Sequence, residues 1–452
     1  MLKFQPSKHF TSGNSIKSSF ITGTLLLTLA GVLTRIIGFF YRIFLSRMIG
    51  AEGLGIYQLV SPVMALGFAV TAAGIQTAIS RFVSTEIGKK NPTGARLYLF
   101  SGLFLSLFLS TLASLFVWKR AAFISTVWLG DERCTPLLSV LSLSFVPSCI
   151  HACINGYYYG IKKTGIPSLC QLSEQLARVG SVYLIYLIYQ SKQMSIPLSI
   201  TMWGIVIGEV ASTLVSISFS RLIPDSGNNK LTLTTCSRNL LIMALPLTAN
   251  RVVLNLFSSF ENIMIPNRLK MFGYTNSEAL SVYGILTGMS MSVIMFPSVI
   301  TNSVSVLLLP TISEAKASGD ERLIVRTIAK TIKYCLLLGF LCTAGFLVTG
   351  RFFGNFLFGN ALAGTFIVTL GWICPFLYLS STLTSILHGL GYPGLTFLLN
   401  LLGCGIRILA VLFAIPIYGI KGYLWSMLIS QVVMAILAVV LLYRKMDTQK
   451  KN

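Results

Sequence analysis

The chain of 452 residues is 54% hydrophobic and only 11% charged, and its mean hydropathy is +0.77. Because soluble domains usually contain about 25% charged residues, this composition excludes an ordinary soluble protein and predicts an integral membrane protein. A net charge of +22 would suggest nucleic acid as the partner of a soluble protein. In a membrane protein it reflects Lys and Arg collected in loops on one side, so we expect no nucleic-acid partner.

The first predicted membrane helix, within residues 25–46, carries two arginines. The polar residues 1–20 before it lack the pattern of a cleaved signal peptide, so we expect the helix to be retained. Arg35 and Arg42 are seven residues apart, which is two helical turns or roughly 10 Å on nearly the same side. A guanidinium in hydrocarbon costs at least ~2.5–3.5 kcal/mol. Either both arginines face something anionic, or Arg42 reaches the membrane surface from its place near the helix end.

The hydropathy pattern predicts an all-α polytopic membrane protein with about twelve transmembrane helices in two six-helix lobes. The predicted spans are residues 21–46, 56–80, 97–117, 137–160, 169–189, 200–220, 239–262, 282–309, 334–350, 363–388, 395–415 and 422–443. The predicted organisation is a cytoplasmic tail (1–20), an N-terminal lobe (21–222), a cytoplasmic linker (223–238), a C-terminal lobe (239–443) and a second tail (444–452).

The charges in the loops predict the orientation. The two tails and the loops on their side contain 21 Lys and Arg residues, against nine in the other loops. The positive-inside rule therefore places both termini in the cytoplasm. On that side, residues 313–333 have apolar residues at helical spacing with charges between them, a pattern typical of a helix on the membrane surface.

The two predicted lobes repeat each other's landmarks. Pro147 and Pro375 are 228 residues apart, and Arg178 and Arg407 are 229 apart. A period of six spans is even, so both lobes share one orientation and are related by an axis along the membrane normal. The predicted site therefore lies between the lobes.

The predicted spans contain five basic and three acidic side chains. They are Arg35, Arg42, Arg178, Arg251 and Arg407, and Glu174, Glu209 and Glu261. Glu174 and Arg178 are four residues apart, the better order for an ion pair on one helix. The other two glutamates are either proton or sodium sites or partners of the arginines, and pairing is the favoured interpretation. The net charge of about +2 predicts a cavity that attracts phosphate, because the guanidinium fork matches phosphate and never deprotonates.

No motif indicates catalysis. The three histidines are not near a nucleophile in a known pattern, and the P-loop motif of ATP-binding proteins is absent. The nine cysteines are odd in number and lie mostly in apolar runs, which predicts neither a disulfide framework nor a metal site. We expect no enzyme activity and no cofactor, and leave coupling to Na⁺, H⁺ or the membrane potential open.

Three stretches resemble a known superfamily of exporters. They are TRIIGFFYRIFLSRMIGAEGLGIYQLVSP (34–62), KKTGIP (162–167) and PLTANRVVLNLFSSFENIMIPNRL (246–269). They are similar to the multidrug/oligosaccharidyl-lipid/polysaccharide (MOP) superfamily, which includes the MATE transporters. Within it they resemble the polysaccharide-biosynthesis branch and, most closely, the group of the stage V sporulation protein B.

The resemblance implies two six-helix lobes in a V, alternating access and no ATP hydrolysis. Lipid II flippases of this superfamily use arginines of the first helix in a central cationic cavity, and Arg35 and Arg42 match those positions. This chain lacks the basic residues that those flippases carry on the second helix, and it has twelve predicted spans where they have fourteen. It also lacks the aspartate that the multidrug branch places on its first helix.

The sequence therefore supports three hypotheses. The first is a flippase of the bacterial inner membrane, acting as a monomer among membrane lipids, that moves an undecaprenyl-(pyro)phosphate-linked glycan or a lipid II-like peptidoglycan precursor. Arg35 and Arg42 would bind its phosphates, with Arg251 and Arg407 in support. The second is a cation-coupled multidrug antiporter that uses Glu209 or Glu261. The third is a scaffold for envelope enzymes that transports nothing.

Overall fold

The computed structural model describes residues 13–219 and 231–451, and within these ranges the chain is helical with no strand. The residues outside these ranges are 1–12 of the predicted first tail, 220–222 at the end of the predicted N-terminal lobe, 223–230 of the predicted linker, and Asn452.

The N-terminal half contains eight helices. They are α1 (Gly13–Phe68), α2 (Gly74–Gly88), α3 (Pro92–Lys119), α4 (Ala121–Phe123), α5 (Cys134–Ser142), α6 (Phe145–Gly160), α7 (Gly165–Ser191) and α8 (Ile200–Phe219). The C-terminal half contains ten. They are α9 (Leu233–Phe272), α10 (Asn276–Gly284), α11 (Met291–Met295), α12 (Ser298–Ala317), α13 (Glu321–Phe358), α14 (Ala361–Leu370), α15 (Cys374–Gly389), α16 (Pro393–Phe413), α17 (Ile415–Tyr418) and α18 (Ile420–Lys451).

Two pairs of these helices are each continuous through a short π-helical segment. The π-helical segment Ala69–Ala73 joins α1 to α2, and another, Ile285–Ser290, joins α10 to α11. Helix α1, by contrast, is not continuous. It breaks at Gly50, whose φ of 70° and ψ of −177° belong to a region of backbone conformation that only glycine enters readily. The break separates the first predicted span from the second.

The helices confirm the predicted fold class. Among the described residues, nine helices are long and apolar enough to cross a membrane, or ten if α5 and α6, bent by 44°, form one span. Residues Leu25–Gly88 count once in that number despite the break at Gly50, and α7 is not among them. The number of twelve spans and the cytoplasmic termini stay predictions.

The prediction of a separate surface helix over residues 313–333 is wrong. Residues 321–333 are the first part of α13, a continuous helix of 38 residues. The helix begins after Asp320, whose Oδ1 accepts a hydrogen bond from the Leu323 N–H at 2.9 Å. No glycine or proline follows before Gly339, so nothing ends the helix where the apolar run begins.

The two halves meet at one end of the molecule. We call it the outer end, because it holds residues 130–133, which lie in a loop predicted to be on the side of the membrane opposite the termini. There α10 crosses the second part of α1. A Cβ atom on Gly55 would lie 2.1 Å from the Leu280 carbonyl oxygen, and one on Gly284 would lie 2.1 Å from that of Ala51. Only glycine permits this approach of the two backbones.

Helix α9 connects the halves, because its two ends pack on different partners. Cys236, Leu240 and Ala244 are buried in the same cluster as α2, α3 and α6. Farther along, Glu261 contacts Arg407 of α16. The first part of α9 therefore packs with the N-terminal half and the second part with the C-terminal half.

Candidate functional site

Three adjoining cavities follow α1 between the two halves. The first has a volume of about 260 Å³ and the second about 390 Å³, and both are lined by Arg35, Val299 and Asn302. The third, of about 410 Å³, shares Arg42 and Met295 with the second. The three cavities therefore adjoin along α1, with Arg35 and Arg42 at the two places where they meet, and we call this row of cavities the path.

Arg35 faces this path without a carboxylate partner. In the first cavity its neighbours include Tyr159 and Gln171, and in the second they include Ser298 and Asn302. No hydrogen bond or ion pair joins Arg35 to another residue within 13–219 and 231–451, the ranges the structure describes. A fixed positive charge among neutral polar side chains is able to bind an anion.

Arg42 faces the same path and links the halves. Its Nη1 donates a hydrogen bond to Ser292 Oγ of α11 at 2.9 Å. No described carboxylate lies within ion-pair distance of it. Because the seven-residue spacing places both arginines on one side of α1, they line the second cavity together.

Arg407 also reaches the path, but a carboxylate matches its charge. Its Nε donates to Glu261 Oε1 at 2.7 Å, and its Nη2 donates to Glu261 Oε2 at 3.2 Å. The Tyr423 hydroxyl donates to the same Oε1 at 2.7 Å. Glu261 is only 4% exposed. Because the two opposite charges are paired, Arg407 and Glu261 add no net charge to the wall of the third cavity.

The other two intramembrane glutamates lie together inside the N-terminal half. Glu174 contacts Arg178 of the same helix. Glu209 was expected to pair with an arginine, but its Oε2 lies 2.7 Å from His151 Nε2. Ligand atoms of His151, Glu174 and Glu209 all lie within 4.8 Å of one another.

This N-terminal cluster is suited to a proton. Two carboxylates and one guanidinium leave a net charge of −1 when the imidazole is neutral, and one added proton makes the cluster neutral. A divalent cation fits less well, because Arg178 already contacts one of the carboxylates. Two buried polar atoms near it, Asn155 Oδ1 and the Tyr41 hydroxyl, have no hydrogen-bond partner among the described residues.

Sequence reasoning assigned no role to His151. The residue lies 58 positions from Glu209 on another helix, and a lone histidine in an apolar stretch gives no signal of its partner. Only the packing of α6 against α8 brings the two side chains together.

The structure does not bring Arg251 to the path that Arg35 and Arg42 line. It lies instead in a cavity of about 690 Å³ with Arg81 and Lys162. We call this cavity the vestibule. Lys162 belongs to the loop between α6 and α7, which is predicted to be cytoplasmic, so the vestibule lies at the end opposite the outer end. Tyr159 lines both the vestibule and the first cavity.

Comparisons with known proteins agree with this architecture. A model of the family "Polysaccharide biosynthesis protein" matches residues 20–316. The chain is 27% identical to stage V sporulation protein B of Bacillus subtilis over 435 residues, which cover 93% of this chain and 83% of that protein. It is 22% identical to the lipid II flippase MurJ of Bacillus subtilis over 346 residues, 72% of this chain and 63% of that protein.

The fold is similar to that of a solved transporter. The inward-facing conformation of a multidrug resistance MATE family transporter of the MOP superfamily aligns with a TM-score of 0.73, 14% identity and coverage of 93% of this chain and 96% of that chain. With a family match over more than half of the sequence, the chain is a transporter and not an enzyme. It belongs to the polysaccharide biosynthesis protein family, and it is a multi-pass protein of the bacterial cytoplasmic membrane.

Proposed function

We propose that this transporter is a flippase for an undecaprenyl-(pyro)phosphate-linked glycan or peptidoglycan precursor. The observation that carries the proposal is that Arg35 and Arg42 line one cavity between the halves with no carboxylate beside them among the described residues. Guanidinium groups bind phosphate bidentately and stay charged at every physiological pH.

The carboxylates argue against a cationic cargo. A cavity for cationic drugs needs free acidic groups, but Glu261 is held by Arg407 and Tyr423, and Glu209 and Glu174 lie inside the N-terminal half beside His151 and Arg178. The unpaired positive charges are on the path, whereas Glu261 is paired and the other two glutamates lie inside the N-terminal half, away from the cavities that the arginines line.

Closure at the outer end supports loading from the opposite, predicted cytoplasmic end. Besides the contact of Gly55 with Gly284, Arg47 Nη2 donates to the Phe356 carbonyl at 2.7 Å and its Nε to the Leu357 carbonyl at 2.9 Å. These bonds cross from α1 to the last turn of α13, whose carbonyls favour a cation. Alternating access would then require these contacts to open while those at the vestibule close.

The test is flipping of a fluorescent undecaprenyl pyrophosphate-linked sugar in vesicles containing the purified protein. We expect Arg35→Gln to slow flipping at least about 100-fold, a loss of about 2.7 kcal/mol of transition-state stabilisation. Arg35→Lys should retain part of the rate, because it keeps the charge but loses the bidentate geometry.

The matched control is Arg322→Gln, which removes an exposed arginine of α13 away from the cavities. Flipping by Arg35→Gln at the wild-type rate would contradict the phosphate-binding role. Absence of flipping by the wild-type protein, with efflux of a cationic dye in its place, would favour the multidrug alternative.

We further propose that H⁺ is the coupling ion and that it binds at His151 and Glu209. The groups near this pair are Asn155 from α6 and Glu174 and Arg178 from α7, and Tyr41 and Tyr57 from α1 lie on the side of Arg178. The net charge of −1 on Glu174, Glu209 and Arg178 together favours the uptake of a proton. A pH gradient should accelerate wild-type flipping and leave Glu209→Gln unaffected. Stimulation by a Na⁺ gradient alone, or an unchanged response in Glu209→Gln, would contradict the proposal.

A further inference from the structure

The vestibule is a second basic site, separate from the one at Arg35 and Arg42. Its lining contains Arg81, Lys162 and Arg251 and no carboxylate. Arg81 Nη1 lies 3.9 Å from Met243 Sδ. No ion pair joins any of the three to an acidic residue in the parts of the chain that the structure describes. By contrast, Lys89 at the same end pairs with Glu86 at 2.9 Å.

The vestibule also carries a row of hydroxyl groups. Thr77, Ser80, Ser84 and Thr85 line it together with Arg81. Thr77, Arg81 and Thr85 follow one another at intervals of four residues, as do Ser80 and Ser84, so the two rows lie side by side on one face of α2. Thr77 and Thr85 donate to backbone carbonyls of their own helix, which leaves the hydroxyl oxygens able to accept hydrogen bonds. Such a surface suits a ligand that has both negative charge and hydroxyl donors.

The depth of the vestibule fits the head of a membrane-anchored ligand. Arg81 lies seven residues before the end of α2 at Gly88, which is about 10 Å along the helix. Because Tyr159 lines both the vestibule and the first cavity, the two cavities adjoin, and a phosphate bound beside Arg81 is one cavity away from Arg35.

We propose that the vestibule is a capture site that binds the phosphate groups and the first sugar of a lipid-linked saccharide before they reach Arg35. The inference rests on the proposed flippase function. Arg81, Lys162 and Arg251 bind the phosphate oxygens, and the hydroxyl face of α2 accepts hydrogen bonds from the sugar. Arg35 and Arg42 then receive the phosphates as the halves move.

A simpler explanation for the positive charges of the vestibule is the positive-inside rule, under which they only set the orientation of the chain in the membrane. Matched controls separate the two explanations. Lys90 and Lys163 are exposed basic residues of the same end, and neither is among the residues that line the vestibule. Removing them takes two positive charges from the same end, against three in the vestibule variant, and leaves the vestibule intact.

The experiment measures the binding of undecaprenyl pyrophosphate-linked sugar to the purified protein, beside flipping at saturating substrate. We expect Arg81→Gln/Lys162→Gln/Arg251→Gln to raise the Kd at least about tenfold, with flipping at saturation and the helical circular dichroism spectrum kept. Lys90→Gln/Lys163→Gln should bind like the wild type. A triple variant with wild-type affinity, or equal weakening in the control, would overturn the capture site.

Two further arms identify the ligand and separate this inference from the flippase proposal. Phosphatidylglycerol at the same mole fraction should compete poorly, because it lacks the saccharide, and equal competition would make the vestibule a general headgroup site and overturn the inference. Arg35→Gln should bind the probe at the vestibule but not flip it. Normal flipping by Arg35→Gln would refute the flippase mechanism, whereas normal binding by the triple variant would refute only the capture site.

Discussion

The two halves of the molecule treat their intramembrane charges differently. In the C-terminal half, Arg407 is matched by Glu261 and Tyr423. In the N-terminal half, Arg35 and Arg42 of α1 line the second cavity, which no carboxylate of the described part of the chain lines. Helix α9 is the counterpart of α1 in the second half, and it contributes the buried Glu261 to the third cavity, while its Arg251 lies in the vestibule. The difference teaches that the positive charge of the path comes from one half only.

The repeat explains part of this pattern. Arg178 and Arg407 occupy corresponding places, 229 residues apart, and both contact a carboxylate. Their partners differ, since Glu174 lies on the same helix as Arg178 while Glu261 comes from α9. Paired arginines at equivalent places are consistent with a structural role, and unpaired arginines at places without an equivalent are consistent with a role toward cargo.

The largest expected effect tests the paired half. Glu261→Gln leaves the Arg407 guanidinium partly buried without its counter-charge, and breaking such a pair costs about 3–5 kcal/mol. We expect a clear fall in Tm measured in detergent. The double variant Glu261→Gln/Arg407→Gln should recover most of it, because no charge is then left behind. A double variant as unstable as the single one would show that the pair's charge is not what matters.

The next effect tests the unpaired half. Arg42→Gln should slow flipping about 30–100-fold, or about 2–2.7 kcal/mol. Its cost in stability should be only about 1 kcal/mol, since it removes one hydrogen bond, to Ser292. A flipping assay and a melting curve on the same preparation check both values. A large fall in Tm with a normal flipping rate would reverse the assignment and make Arg42 a structural residue.

The smallest effect concerns the contact between the halves at the outer end. Asn276 Nδ2 of α10 donates to Asp131 Oδ2 at 3.1 Å, and Arg133 Nη2 donates to the same oxygen at 2.7 Å. Although burial acts in the opposite direction, the hydrogen bonds from Arg133 and Asn276 hold the pKa of Asp131 below its ordinary value. A depressed carboxylate pKa stabilises the contact above the ordinary pKa, and that contribution is lost as the pH falls through the lower, folded value.

The distance between spin labels at Glu132 and Tyr418 measures this closure, because both positions are exposed near the outer end. We expect it to stay constant from neutral pH down to about 5 and to lengthen only below the ordinary carboxyl pKa of about 4. Asn276→Ala should lengthen it at neutral pH. Lengthening near pH 6 would instead point to a histidine.

Local spacing allowed much of the fold to be predicted. Three predicted spans are interrupted close to a proline, at Pro147, Pro297 and Pro375, because proline lacks the N–H that continues a helix. By contrast, α9 continues through Pro246. Contact between Glu174 and Arg178 follows from their spacing on one helix. The missed feature was α13, where an amphipathic stretch and an apolar stretch form one helix, since a change of environment does not end a helix that has no breaking residue.

Longer-range features of the site were beyond the sequence. Glu261 and Arg407 are 146 residues apart, and the sequence around each residue does not indicate that the other is its partner. The place of Arg251 in the vestibule was equally hidden, because it depends on α9 packing with the N-terminal half in its first part. Charge type was readable from the residues, but which charges meet depended on how the halves pack.

The most direct test compares two neutralised double variants in one flipping assay. We predict that Arg35→Gln/Arg42→Gln flips the lipid-linked saccharide at less than about 1% of the wild-type rate, and that Glu261→Gln/Arg407→Gln stays within about tenfold of it. The opposite order, with the α1 double variant active and the C-terminal one inactive, would contradict the claim that the unpaired arginines of α1 bind the anionic cargo.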